Sequence, residues 1–255
     1  MVTRKLLDRI QQNDWFSIAL SVPNPDTKQA LNSILKNRNC LLFDFDGTLA
    51  PNLDLPDMRR RVVKLTKQYS VPDTVYDDLY IVEVINAATN YLKHDANQVA
   101  VEYSIAAHQL IKDIELTEAQ ATEPFEGIPA ILRNLRNNAY KLGVVTRNCR
   151  EAVLSVFPDL LNFIDCLIAR DDTEHLKPDV RHLEQAIQKM ESTKQEAVII
   201  GDGRLDMECG KRLGLACIGV LSGSASEREL GLAGADLILN SCLEMTPCGH
   251  RNSPP

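Results

Sequence analysis

No stretch of the chain approaches the roughly 18 consecutive apolar residues that span a bilayer. The opening residues, MVTRKLLDRIQQNDW, lack the apolar segment and small-residue cleavage site of a secretory leader. A membrane partner is therefore not expected, and a cytoplasmic location is. Paired cysteine spacing is missing too. The seven cysteines are odd in number and scattered, which excludes a regular disulfide framework and points to reduced thiols. Cys40, Cys166, Cys209 and Cys217 sit in or beside apolar segments and read as core, while Cys242, Cys248 and His250 fall short of a four-ligand metal site. A basic balance is likewise absent. With 35 acidic against 28 basic residues the net charge is −7, which argues against a nucleic-acid backbone as partner. There is no internal repeat, and no glycine between residues 53 and 124.

What the chain does have is concentrated in Cys40 to Leu49, CLLFDFDGTL. Cys40, Leu41, Leu42 and Phe43 are apolar on both faces, the pattern of a strand buried in a parallel sheet. Chemistry is then expected at the carboxyl end of that strand. Side chains alternate along a strand, so Asp44 and Asp46 leave on one side while Phe45 turns away. Two carboxylates held so close repel, and either a proton on one or a cation between them relieves the repulsion. Gly47 permits a sharp turn with exposed N–H groups, and Thr48 adds a hydroxyl and a capping oxygen. A phosphate dianion with a hard metal ion engages all of these groups; an acidic strand end with a tight turn uses few of them.

Three later stretches extend the pattern. Lys141 to Asn148, KLGVVTRN, is an apolar strand ending at Thr146, followed by Arg147 and Asn148. Leu176 to Asp179, LKPD, sets Lys177 before a proline suited to the first position of a helix. Ala197 to Asp206, AVIIGDGRLD, is a buried strand ending at Gly201 and Asp202, with Asp206 four residues on. Together and in this order the four stretches resemble the motifs of the haloacid dehalogenase superfamily of phosphotransferases, over roughly residues 38 to 240.

The resemblance implies roles. Asp44 would attack phosphorus and form an aspartyl-phosphate. Asp46 would protonate the leaving oxygen and then take a proton from water. Mg²⁺ would sit on Asp44, the Asp46 carbonyl, Asp202 and, directly or through water, Asp206. Lys177 would lend a fixed positive charge, and Thr146 with the neighbouring Arg147 and Asn148, and Gly47 with Thr48, would hold the phosphate. A second aspartate such as Asp46 points to phosphoryl transfer rather than carbon–halogen cleavage, since a halide needs no proton. The implied partner is a small phosphorylated metabolite, for a monomer or homodimer. EPFEGIPAILRNLRNNAYKLGVVTRN and HLKPDVRHLEQAI resemble phosphoglycolate phosphatase-like hydrolases in particular, with phosphoglycolate the leading substrate and pyrophosphate a rival. A sugar-phosphate mutase and a non-catalytic binding protein stay open as alternatives.

Apolar segments at 40–45, 142–146, 165–169, 197–201, 216–220 and 236–239, separated by helical patterns, give an α/β fold: a Rossmann-like parallel sheet with helices on both faces, at residues 39–52 and 124–242. Residues 53–123 recur at helical spacing instead, and the resemblance makes them a small all-helical cap hinged near Ala50–Leu55 and Ala121–Phe125. Its Arg59, Arg60 and Arg61 are candidates to reach a second anionic group on the substrate, against the plainer alternative of a solvated face. Residues 1–38 read as a helical extension packed on the body, with a turn at PNPD (23–26), and 243–255 as a disordered tail.

Overall fold

The computed structural model describes residues 24–94 and 96–246. Strand β1 (Cys40–Phe43) is buried at every residue, as its two-faced apolar run requires. It pairs in parallel with β2 (Lys141–Val145) on one side and with β4 (Ala197–Gly201) on the other. Strand β3 (Cys166–Ile168) lies outside β2, and β5 (Ala216–Val220) and β6 (Leu237–Leu239) outside β4. The order is β3-β2-β1-β4-β5-β6, parallel throughout. Connections therefore leave β1 in opposite directions, and a crevice opens above the carboxyl ends of β1 and β4.

Before the sheet, α1 (Pro25–Leu35) starts at Asn24, whose side chain accepts the N–H groups of Asp26 and Thr27. PNPD is thus a helix start, not the turn read from the sequence, because Asn24 and Pro25 occupy the cap and first helical positions. Leu31 and Leu35 join the core beneath the sheet. Leu6, Leu7, Ile10, Trp15 and Phe16, the rest of the expected extension, lie outside the described residues.

Between β1 and β2 come α2 (Leu55–Gln68), α3 (Ile81–Lys93) and α4 (Asn97–Ala119). They enclose a core of their own that includes Val62, Tyr76, Ile85, Tyr103, Ala107 and Ile111. Inside it the hydroxyls of Thr66 and Tyr103 are 2.7 Å apart. Unbroken helical periodicity without glycine suits such packing, since each turn can present an apolar stripe. Helix α4 serves both cores: Ala107 and Ile111 face the helical unit, whereas Ala119 belongs to the core under the sheet. The two connectors are joined by the Phe125 N–H, which donates to the Leu49 carbonyl at 3.0 Å.

Helices α5 (Ile128–Asn137) and α6 (Arg150–Val156) cover the sheet face lined by Leu41 and Phe43. Helices α7 (Arg181–Lys189), α8 (Arg204–Leu213) and α9 (Glu227–Ala233) cover the face lined by Cys40 and Leu42. Alternate residues of one strand thus anchor opposite layers. Among the described residues no helix is long and apolar enough to cross a membrane. The tail expected from residue 243 begins later: Cys242–Glu244 form a 3₁₀ turn, and Cys242 and Met245 are buried, because their apolar side chains complete the core under α5. Cys242 is therefore packing, and Cys248 and His250 lie outside the described residues.

Candidate active site

Asp44 and Asp46 emerge where β1 ends. The Asp44 N–H donates to Ile200 of β4 at 2.8 Å, fixing the strand end, and its Oδ1 lies 2.8 Å from Lys177 Nζ. Gly47 has φ +77°, and a Cβ there would lie 2.5 Å from the Asp202 carboxylate, so glycine is required by both conformation and space. Its N–H turns onto the Ala50 carbonyl at 2.7 Å, not outward to a ligand as the sequence suggested. Asp46 accepts bonds from Asn148 Nδ2 at 3.1 and 3.2 Å. Burial, then the negative charge of Asp44, pushes Asp46 up to about 8. Of the two reliefs for crowded carboxylates, that shift favours a proton on Asp46.

Lys177 is 1% exposed and bridges Asp44 and Asp206, the latter at 2.5 Å. The carboxylates hold its pKa above the usual lysine value despite burial, which by itself would lower it. Burial and the charge of Asp44 raise Asp202 to about 6 and Asp206 to about 7. Oxygens of Asp44, Asp202 and Asp206 lie within 4.8 Å of one another. Three carboxylates with one lysine leave excess negative charge, and an all-oxygen donor set of this kind fits a hard divalent cation. The Asp46 carboxylate lies outside that group, being engaged by Asn148.

Several other expected ligands are committed elsewhere. Thr48 Oγ1 donates to Asp202 Oδ1 at 3.3 Å and accepts the Asp202 N–H at 3.1 Å, so it positions a carboxylate rather than a phosphate. Thr146 is buried at the cavity wall and accepts the Asn148 N–H at 3.1 Å. Arg147 forks onto both oxygens of Glu83 in α3, at 3.0 and 2.6 Å, and also donates to the Lys177 carbonyl. It joins the helical unit to the core instead of reaching for phosphate. Arg59 lines the cavity, but its guanidinium donates to the carbonyls of Tyr76, Asp77 and Leu79. Arg60 and Arg61 are exposed beside Asp57 and do not line the cavity. The solvated-face alternative holds for these two, because consecutive helical residues point about 100° apart.

Pro178 does not open a helix; α7 begins at Arg181. The turn lets buried His182 Nδ1 accept the Lys177 N–H at 3.1 Å, while Nε2 lies 3.3 Å from the Ile168 carbonyl. Burial, then the positive charge of Lys177, lowers His182 to about 3, so the ring is neutral in the fold. Unfolded histidine titrates near 6.5, so the unfolded chain binds the extra proton first. The stabilisation is complete above that pH and is lost as pH falls toward 3, by up to about 1.4 kcal/mol per pH unit. In urea unfolding between pH 6.5 and 4.5 the wild type should lose stability relative to His182→Gln by this slope as pH falls, the opposing contributions of Asp46, Asp202 and Asp206 being common to both; a constant difference would refute it.

The sequence reading missed Ser222, Gly223 and Ser224, which follow β5. Ser224 N–H donates to Asp202 Oδ2 at 3.0 Å, Ser222 Oγ to the Gly47 carbonyl at 2.7 Å, and a Cβ on Gly223 would lie 1.8 Å from Asp202 Oδ2. The signal was available in LSGSAS at the carboxyl end of a buried strand. Glu115, paired with Arg170 (Nη2 to Oε2 2.6 Å), was also missed. Cys149 is buried beside this pair, and burial pushes it up to about 11.

A parallel sheet whose switch point gathers a carboxylate cluster around a buried lysine suits a hard cation together with a phosphoryl group. The family model "haloacid dehalogenase-like hydrolase" matches residues 41–220, and the chain belongs to that family. Pyrophosphatase PpaX of Halalkalibacterium halodurans is 28% identical over 184 residues, spanning 69% of this chain and 80% of the relative. A hydrolase from Pseudomonas syringae shares the fold with TM-score 0.62 at 19% identity, over 82% of this chain and 96% of that one. A beta-phosphoglucomutase candidate from Bacteroides vulgatus does so with TM-score 0.63 at 20% identity, over 86% and 93%.

Proposed function

We propose that the protein is a Mg²⁺-dependent phosphomonoesterase that works through an aspartyl-phosphate on Asp44. The observation that carries this reading is Lys177 Nζ, 2.8 Å from Asp44 and 2.5 Å from Asp206, with Asp46 held by Asn148 Nδ2 two residues on from Asp44. An Asp44 oxygen attacks phosphorus as the bond to the leaving oxygen breaks, and Asp46 delivers its proton to that oxygen. Asp46, now a carboxylate, takes a proton from water as the water oxygen attacks phosphorus, freeing phosphate and Asp44. Lys177 balances charge on the transferring phosphoryl oxygens, with Thr146 at the same wall. Mg²⁺ held by Asp44, Asp202 and Asp206, with the Asp46 carbonyl, would neutralise phosphoryl charge. Residues 53–123 act as a cap that excludes water and faces the leaving group.

Phosphoglycolate is the first substrate reading, its carboxylate one that a cap arginine could pair with; of Arg59, Arg60 and Arg61 only Arg59 lines the cavity, its guanidinium donating to backbone carbonyls. Pyrophosphate is the second reading, favoured by the name of the Halalkalibacterium relative. Phosphorus NMR of reactions with and without Mg²⁺ tests the hydrolase assignment. Mg²⁺-dependent release of free phosphate is expected. Isomerised sugar phosphate without free phosphate would identify a mutase, and binding without turnover a non-catalytic protein.

A further inference from the structure

We infer that the leaving group is an uncharged alcohol with a substantial apolar face, so that the substrate is an alkyl or aryl phosphomonoester carrying no second anionic group. The inference rests on the phosphatase reading above and concerns the half of the cavity that does not hold phosphate. That cavity measures about 770 Å³, within the range that drug-sized ligands fill and far beyond the needs of phosphoglycolate or pyrophosphate. Its lining includes Met58, Leu79, Tyr80, Ile81, Val82 and Ile111. Leu55 and Tyr80 on the same lining are each 44% exposed, the Tyr80 ring carrying the Arg147 guanidinium 5.8 Å from its centroid.

Charge sharpens the point. Of the guanidiniums that border the cavity, Arg147 pairs with Glu83 and Arg170 with Glu115, Arg59 donates to three backbone carbonyls, and Arg204 pairs with Glu208 at the exposed surface. Asp77, Asp78 and Glu229 stand on the same lining. A carboxylate or second phosphate placed there would face three acidic side chains and only cations already donating to protein oxygens. An alkyl or aryl group loses nothing by the same transfer and gains from apolar burial.

The test compares kcat/KM, in saturating Mg²⁺, for benzyl phosphate, 2-phosphoglycolate, pyrophosphate and acetyl phosphate. Acetyl phosphate is activated and makes little demand on the outer cavity, so it reports the phosphoryl half alone. Benzyl phosphate is expected to exceed 2-phosphoglycolate and pyrophosphate by about tenfold or more, the discrimination one ring-sized apolar contact supplies. Tyr80→Ala should lower the benzyl-to-acetyl phosphate ratio about tenfold by removing the largest apolar contact at the rim. Glu83→Gln, which releases Arg147, should raise the ratio of phosphoglycolate to benzyl phosphate. Turnover of acetyl phosphate with 2-phosphoglycolate or pyrophosphate preferred to benzyl phosphate overturns the inference and leaves the phosphatase reading standing. No turnover of acetyl phosphate overturns that reading, and the inference with it.

Discussion

Asp44→Asn is expected to lower Mg²⁺-dependent phosphate release by at least about four orders of magnitude, the scale seen when a covalent nucleophile is removed. The substitution keeps the shape of the side chain but replaces the attacking carboxylate with an amide, whose oxygen is a poor nucleophile. It also withdraws one negative charge from Lys177, which keeps Asp206 at 2.5 Å as partner, so the fold should survive. Far-UV circular dichroism and a urea titration would verify that. Lys177→Ala is expected to be milder in rate, about two to three decades, as for loss of a preorganised charge at the phosphoryl group. Near-normal turnover in a folded, pure Asp44→Asn protein would remove Asp44 from the chemistry.

Arg170→Ala is expected to cost about 3 to 5 kcal/mol of stability, because it strands a carboxylate with almost no access to water. Glu115 is 2% exposed and accepts from both guanidinium nitrogens of Arg170, and its Oε2 also receives the Cys149 N–H at 3.4 Å. Arg170 in turn donates to the Arg147 carbonyl at 3.0 Å, in the segment that follows β2. The loss is thus felt in both layers that meet there. The double variant Arg170→Met with Glu115→Leu should recover much of the difference, since the penalty lies in the unpaired charge more than in the missing bond. Urea unfolding followed by circular dichroism decides: a loss below about 1 kcal/mol would mean that water reaches Glu115.

The sheet and the paired carboxylates of the site were legible because their signals are local. A strand apolar on both faces followed by Asp-x-Asp-Gly reads the same in isolation as in the fold, and so do the strand ends at Thr146 and Asp202. What failed to show in the sequence was pairing across distance. Glu83 and Arg147 stand 64 residues apart and Thr48 and Asp202 stand 154 apart, so nothing near Arg147 or Thr48 in the chain announces that they are engaged. Pro178 was misread for a related reason: a proline is compatible with the start of a helix, and only the packing of His182 against Lys177 decides that the helix waits until Arg181. The three arginines carried no phase information about the cavity, and their sorting came from the direction in which α2 lies.

Helix α4 belongs to two cores at once, and mechanically this makes it a lever. A continuous helix cannot fold at its middle without breaking backbone bonds, so the helical unit can move relative to the sheet only by tilting about the end that is fastened, near Glu115 and Ala119. The arm from Asn97 to Glu115 is about 27 Å long, and a tilt of about 10° carries its far tip about 5 Å. Contacts made close to Glu115, such as the Arg170 fork, sit near the fulcrum and barely stretch during such a tilt.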